Sequence, residues 1–187
     1  MTVAEQQEAG LQAYPQAQGL YNSVNEHDAC GVGMVADLNN RPSHRIVEQG
    51  LTVLRRLTHR GAAGWDPETG DGAGILTALP DDFFRARVAN LPEKGAYGVA
   101  MLFGGVGLEQ GLEAILREEG LKPFAWREVP THPEAIGRSA RESCPKIRQL
   151  FVRQARGQAP LAAEAFERKL YVARRRLEKA FGERLYI

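Results

Sequence analysis

Apolar positions are sparse over residues 1–29, where Gln, Ala and Glu dominate and β-branched or aromatic anchors are few. Such a stretch buries too little surface to hold a fixed shape, and it reads as a loosely held leader. The pattern changes at Cys30-Gly31-Val32-Gly33-Met34-Val35-Ala36, a short apolar run suited to a buried strand. Asn39-Asn40-Arg41-Pro42 then supplies a turn. Ser43 is a helix cap, and Ile46, Val47, Gly50, Leu51, Leu54 and Leu57 recur at spacings of three and four. That spacing predicts a helix to about Thr58 with one apolar face. A Gly-rich loop over 59–74 leads to a strand at 75–79, and Pro80 and Asp81 open a short helix ending near Asn90. Beyond it the pattern predicts strands at 97–103, 124–129 and 147–153, an amphipathic helix over 108–119 and a longer one over 161–181. Residues 184–187 open one more strand. A fold seldom stops at the start of a strand with no partner to follow, so the chain reads as truncated.

Strands and helices alternate without an internal repeat, which indicates an α/β or α+β layered fold. The length of 187 residues suits one domain or a piece of a larger one, and 43% apolar residues suffice for a sizeable core. A net charge of +1 makes no general case for nucleic acid, but the charge is unevenly placed. Residues 1–40 carry five acidic groups and no Lys or Arg, whereas residues 138–187 carry 13 Lys and Arg against five Glu. Two cysteines, Cys30 and Cys144, exclude a disulfide framework and every four-cysteine metal pattern. No signal peptide and no membrane span is legible, so the cytoplasm is the expected compartment.

Two clusters can carry chemistry. Glu26-His27-Asp28-Ala29-Cys30-Gly31-Val32-Gly33 puts a thiol at the mouth of an apolar run, beside glycines that let backbone approach a ligand closely. The bland alternative is a small buried thiol. Thr58-His59-Arg60-Gly61-Ala62-Ala63-Gly64, joined to Thr69-Gly70-Asp71-Gly72-Ala73-Gly74, places a guanidinium at a helix exit beside loop backbone. Arg in that position can grip a carboxylate or orient a reacting group; it can equally serve as a helix C-terminal charge. Gly105-Val106-Gly107 follows a strand and precedes a helix, but Gln110 stands where a dinucleotide fingerprint needs a glycine. The four histidines, His27, His44, His59 and His132, have no metal spacing and suit surface or capping roles. Cys144, before Pro145, reads as structural. Arg174-Arg175-Arg176 lacks interleaved aromatics, which favours a solvated helix face or a contact with another part of a larger protein.

Residues 26–84, EHDACGVGMVADLNNRPSHRIVEQGLTVLRRLTHRGAAGWDPETGDGAGILTALPDDFF, closely resemble the start of the glutaminase domain of glutamate synthase large subunits. The Cys-Gly-Val-Gly entry, the Thr-His-Arg-Gly helix exit and the Thr-Gly-Asp-Gly-Ala-Gly loop carry the likeness. It continues more loosely through Pro145-Lys146-Ile147 and Arg168-Lys169-Leu170-Tyr171. The resemblance implies an α+β class II amidotransferase of the N-terminal-nucleophile (Ntn) hydrolase type, an αββα sandwich of two antiparallel sheets between helical layers, incomplete at the C-terminus. Residues 1–29 match the family's removable leader, and 30–187 match the N-terminal part of the type-2 glutamine amidotransferase domain.

By the same resemblance Cys30 is the catalytic nucleophile toward L-glutamine, and Arg60 lies beside it and helps position the site. Gly31 and Asp71 are the candidate substrate-side positions, with Gly72 and Gly74 shaping the loop. No metal and no cofactor is expected within this chain. The parent enzyme would use FMN and an iron–sulfur cluster, with NADPH or ferredoxin as electron source, to turn ammonia and 2-oxoglutarate into glutamate. Its partners would be the remainder of the large subunit and a small subunit, with no nucleic acid and no membrane. The family's oxyanion pair is Asn-Gly, yet none of Asn22, Asn25, Asn39, Asn40 and Asn90 precedes a glycine. Loss of an oxyanion donor costs on the order of 100–1000-fold in rate, so these residues alone are expected to hydrolyse glutamine poorly. The alternative is a non-catalytic interaction module with the basic C-terminal helix as its contact face.

Overall fold

The computed structural model describes Gly19 and residues 31–61, 66, 68–70, 72–157 and 159–187. They form two compact units, one from the described residues up to 78 with 136–142, the other from the described residues of 79–135 and 143–187.

The second unit is built on a four-stranded antiparallel sheet. Its elements run α2 (Asp81–Arg85), β1 (Tyr97–Gly104), α3 (Glu109–Glu118), β2 (Leu121–Glu128), β3 (Ile147–Gln154), α5 (Ala163–Phe181) and β4 (Leu185–Tyr186). The strands lie in the order β2-β3-β1-β4. β1 and β2 are both antiparallel to β3, which lies between them, so α3 makes a crossover that skips one strand position. β3 and β4 flank β1 in the same way, joined by α5. Two interlocked split β-α-β units result, the ferredoxin-like arrangement.

Both crossover helices cover one face. Leu112 and Leu116 of α3 and Phe166, Ala173 and Leu177 of α5 share a buried cluster with Leu102, Leu121, Leu150, Val152 and Leu185 of the strands. Gly98 lets α5 come this close, since a Cβ there would lie 2.7 Å from a methyl of Leu170. On the opposite face Phe151 is fully buried among Phe84, Tyr97 and Phe124, its ring 5.0 Å from that of Phe84 in an edge-to-face pair. Arg176 ties α5 to the C-terminal end of α3, donating to Glu119 at 2.6 Å and to Glu118, while the Lys169 ammonium donates to the Glu119 carbonyl at 2.9 Å. Within the arginine run, Arg174 and Arg175 pair with Glu178 of their own helix, but Arg176 is a structural clip.

The structure corrects three expectations. Residues 31–36 form no strand, and Val32, Met34 and Leu38 are 92%, 90% and 100% exposed. Residues 75–79 likewise have no regular structure, with Leu76 in open solvent. An apolar run becomes a strand only in a hydrogen-bonded ladder, and no described neighbour offers these two a ladder. The closing strand, by contrast, does have a partner: Leu185 and Tyr186 pair with Gly104 and Phe103 of β1. The sequence order hid this, because the partner precedes β4 by some eighty residues. Among the described residues no helix is long and apolar enough to cross a membrane.

Candidate active site

The first unit holds α1 (His44–Arg56), which starts at Ser43 in extended backbone without a side-chain cap and carries no fully buried residue. Its end tightens into a 3-10 turn over Thr58–Arg60. Leu57 N–H donates to the carbonyl of Val53 at 3.0 Å and Arg60 N–H to that of Leu57 at 2.8 Å. The Thr58 hydroxyl donates to the Arg55 carbonyl at 2.6 Å, and His59 Nδ1 lies 3.0 Å from the Arg56 carbonyl. These bonds satisfy carbonyls that a helix end leaves over. His59 is therefore a capping group, and Arg60 is delivered at a fixed point just past the helix.

Residues 31–35 lie along α1 and approach it most closely at the two glycines. A Cβ on Gly33 would sit 2.3 Å from Val53 Cγ1; one on Gly31 would sit 2.9 Å from Leu57 Cδ2 and 3.4 Å from Arg60 Cβ. Gly31 is bonded to residue 30, so the stem of Arg60 stands beside the residue that carries the thiol's neighbouring backbone. Residues 31–35 and 74–77 flank a groove of about 450 Å³ floored by Ile46, Val47, Gly50, Val53 and Leu54 of α1 and by Leu57 at its C-cap. The helical face expected from spacing is thus real, except that Leu51 points away at 41% exposure. Of the four sequence-derived site residues, Arg60 and Gly31 are brought together. Cys30 and Asp71 lie outside the described residues. A Cβ added to Gly72 or Gly74 would meet nothing within 4 Å.

Sequence reasoning passed over Asp66. Its half-buried carboxylate accepts from the Thr69 hydroxyl at 2.8 Å and from the Ser139 N–H and hydroxyl at 3.2 and 2.9 Å. Those donors, with the Glu68 N–H at 3.1 Å, hold its carboxyl down to about 2, the Thr69 hydroxyl foremost. The signal available was Asp before Pro67, a turn-opening pair, but nothing in the sequence pointed to Ser139.

The glycine loop after β1 is no phosphate cradle. Glu109, in the first turn of α3, accepts from Arg148 Nη1 at 2.5 Å and from its own and the Gly107 N–H, which holds its carboxyl below the usual range, the Arg148 bond foremost. Arg148 Nη2 also donates to the Gly105 carbonyl at 2.9 Å. The helix N-terminus already holds its own anion, which disfavours a second one there. Cys144 is exposed, its sulfur 3.8 Å from the Pro145 carbonyl, and supports no core. His132 and His44 lie at the surface, near Glu134 and Glu48.

An apolar groove along α1 thus lies next to a helix exit that presents Arg60, with Gly31 beside it. Residues 30–187 match the profile of the class-II glutamine amidotransferases, and the chain belongs to that family. Within it, the chain is similar to the NADPH glutamate synthase large chain of Bacillus subtilis, 45% identical over 174 residues, or 88% of this chain and 11% of that one. It is also 37% identical over 187 residues to ferredoxin-dependent glutamate synthase 1 of Arabidopsis thaliana, covering 92% of this chain and 11% of the relative. The glutamate synthase large chain of Azospirillum brasilense is 36% identical over 176 residues, again with 88% and 11% covered. The chain thus spans about a ninth of the length of the curated relatives it matches.

Proposed function

We propose that this chain carries the glutamine-hydrolysing nucleophile of a glutamate synthase large subunit, with Cys30 as that nucleophile once residues 1–29 are removed. Family membership supports the reaction class, and the observation that carries the assignment is the seat of Gly31 against the stem of Arg60.

A thiol titrates near about 8.5 and a free α-amine near about 7.7–8.0, so the amine of the same residue can take the thiol proton at working pH. While Ala29 is still bonded, that nitrogen is an amide and the site is silent. The Cys30 thiolate attacks the side-chain amide carbon of glutamine. The collapsing tetrahedral intermediate expels ammonia, which leaves with the proton returned by the amine. Water then cleaves the glutamyl thioester to glutamate and frees the thiolate. Arg60, a fork of five fixed donors at the helix exit, orients the reacting group or a carboxylate, with Gly31 and Asp71 as the substrate-side residues of this reading.

In the same reading residues 31–36 and 75–79 become strands when further chain supplies their ladder, completing the αββα sandwich with the apolar face of α1 beneath. Ammonia passes to a second site in the remainder of the large subunit, which holds FMN and an iron–sulfur cluster and receives electrons from NADPH through a small subunit or from ferredoxin. Two cysteines cannot ligate such a cluster within these residues. The protein works in the cytoplasm, and residues 1–187 alone turn over glutamine poorly because no Asn-Gly oxyanion pair lies among them.

A chloroketone analogue of glutamine, incubated with the full natural chain and mapped by peptide mass spectrometry, tests the assignment. A single adduct on Cys30 that excess glutamine suppresses is expected. Labelling at Cys144 alone, or none, overturns the reading.

A further inference from the structure

Past Thr69, Gly70 is exposed and joins an isolated backbone bridge, and a Cβ on Gly72 or Gly74 would meet nothing within 4 Å. The entry of this loop is held by a polar latch. There Asp66 spans from Glu68 and Thr69, two and three residues on, to Ser139, 73 residues away in α4 (Arg138–Glu142). The clamp also depends on shape. A Cβ on Gly137 would stand 2.3 Å from Thr69 Oγ1 and 2.6 Å from the Glu68 carbonyl oxygen, so the two backbones touch where any side chain would part them.

We infer that Asp66 is a positioning residue of the glutaminase site: its latch to Ser139, seated on Gly137, sets where the loop from Thr69 to Gly74 meets glutamine. The inference rests on Cys30 being the glutaminase nucleophile, and it adds a residue that no part of the Cys30–Arg60 arrangement requires. The chemistry fits a fixed anchor rather than a reacting group. The carboxylate spends its lone pairs on four protein donors and stays charged down to about pH 2.

The test uses the full natural chain and three substitutions that disturb the latch by different routes. Asp66→Asn weakens acceptance, Ser139→Ala removes the hydroxyl, and Gly137→Ala pries the backbones apart without touching charge. Each is expected to raise the KM for glutamine about tenfold while kcat changes less than about threefold, the mark of lost substrate positioning. Ser139→Thr, which keeps hydroxyl and N–H, is expected to restore KM. Unchanged KM in all three, or equal losses in kcat that Ser139→Thr does not restore, overturns the latch. Hydrogen exchange of the amides over 68–74 gives a readout independent of activity. It is expected to rise at least about tenfold in Asp66→Asn, and unchanged exchange overturns the proposal even if the parent protein proves not to be a glutaminase. A wild-type protein without glutaminase activity but with the exchange effect would instead sink the functional reading and leave the anchor standing.

Discussion

Replacing Gly33 by alanine probes the surface on which the whole candidate site is laid. The new Cβ would stand 2.3 Å from Val53 Cγ1, while the Val53 Cβ lies 3.6 Å away. Carbon atoms rest at about 3.5–4.0 Å, so alanine at 33 forces residues 31–35 and α1 apart by more than ~1 Å. Such overpacking costs about 1–3 kcal/mol. Val53→Ala removes the offending methyl and leaves only the 3.6 Å neighbour, which is ordinary contact. The double variant should therefore recover at least about 1 kcal/mol relative to the sum of the single variants. Opening free energies from native-state hydrogen exchange at the α1 amides measure this directly, since they report local rather than global stability. Glutaminase activity of the full natural chain should follow the same order, lost in Gly33→Ala and regained in the double variant. A neutral Gly33→Ala, or strictly additive effects, would show that residues 31–35 do not rest on α1 as described.

Four further outcomes follow from particular contacts. Phe151→Ala should destabilise the second unit by about 3–5 kcal/mol, read by urea unfolding, because it empties the centre of an aromatic cluster. Burial, foremost, and its bond to Asp81 push the Tyr97 hydroxyl up to about 12, so the folded state holds that proton more firmly than the unfolded chain. Stability should be intact below about pH 10 and fall toward 12, a loss that Tyr97→Phe removes in an alkaline titration. Asp66 works in the opposite sense: its lowered carboxyl contributes above about pH 4, and that contribution should vanish as pH falls toward 2, an acid step that Asp66→Asn abolishes in a circular-dichroism titration. Arg60→Lys keeps charge but loses the planar fork, and kcat/KM for glutamine should fall on the order of 100-fold, against little change if Arg60 is only a helix-end charge.

The strands of the second unit were legible because each supplies its own pattern. Tyr97–Gly104 and Ile147–Gln154 are rich in β-branched and aromatic residues, and their burial follows from facing helices encoded nearby. Residues 31–36 have comparable apolar character yet form no strand, since strand formation needs a ladder partner that apolarity alone does not provide. The pairing of Leu185 with Gly104 escaped for a related reason: the sequence marks where a strand starts, not which earlier strand receives it. Within the candidate site, Arg60 and Gly31 were found through a family likeness rather than through periodicity. In the structure the two are neighbours, since a Cβ added to Gly31 would stand 3.4 Å from Arg60 Cβ. Asp66 and Ser139 were missed because a polar latch across 73 residues leaves no local spacing to read.

The central claim is that the residue-30 thiol, with its own amine exposed, forms the acyl bond to substrate. Rapid acid quenching of the full natural chain turning over isotope-labelled glutamine, followed by peptide mapping, measures it. The glutamyl label is expected as a thioester on Cys30, only in molecules whose chain begins at that residue. Full turnover with no label on Cys30, or equal labelling when Ala29 is still attached, contradicts it.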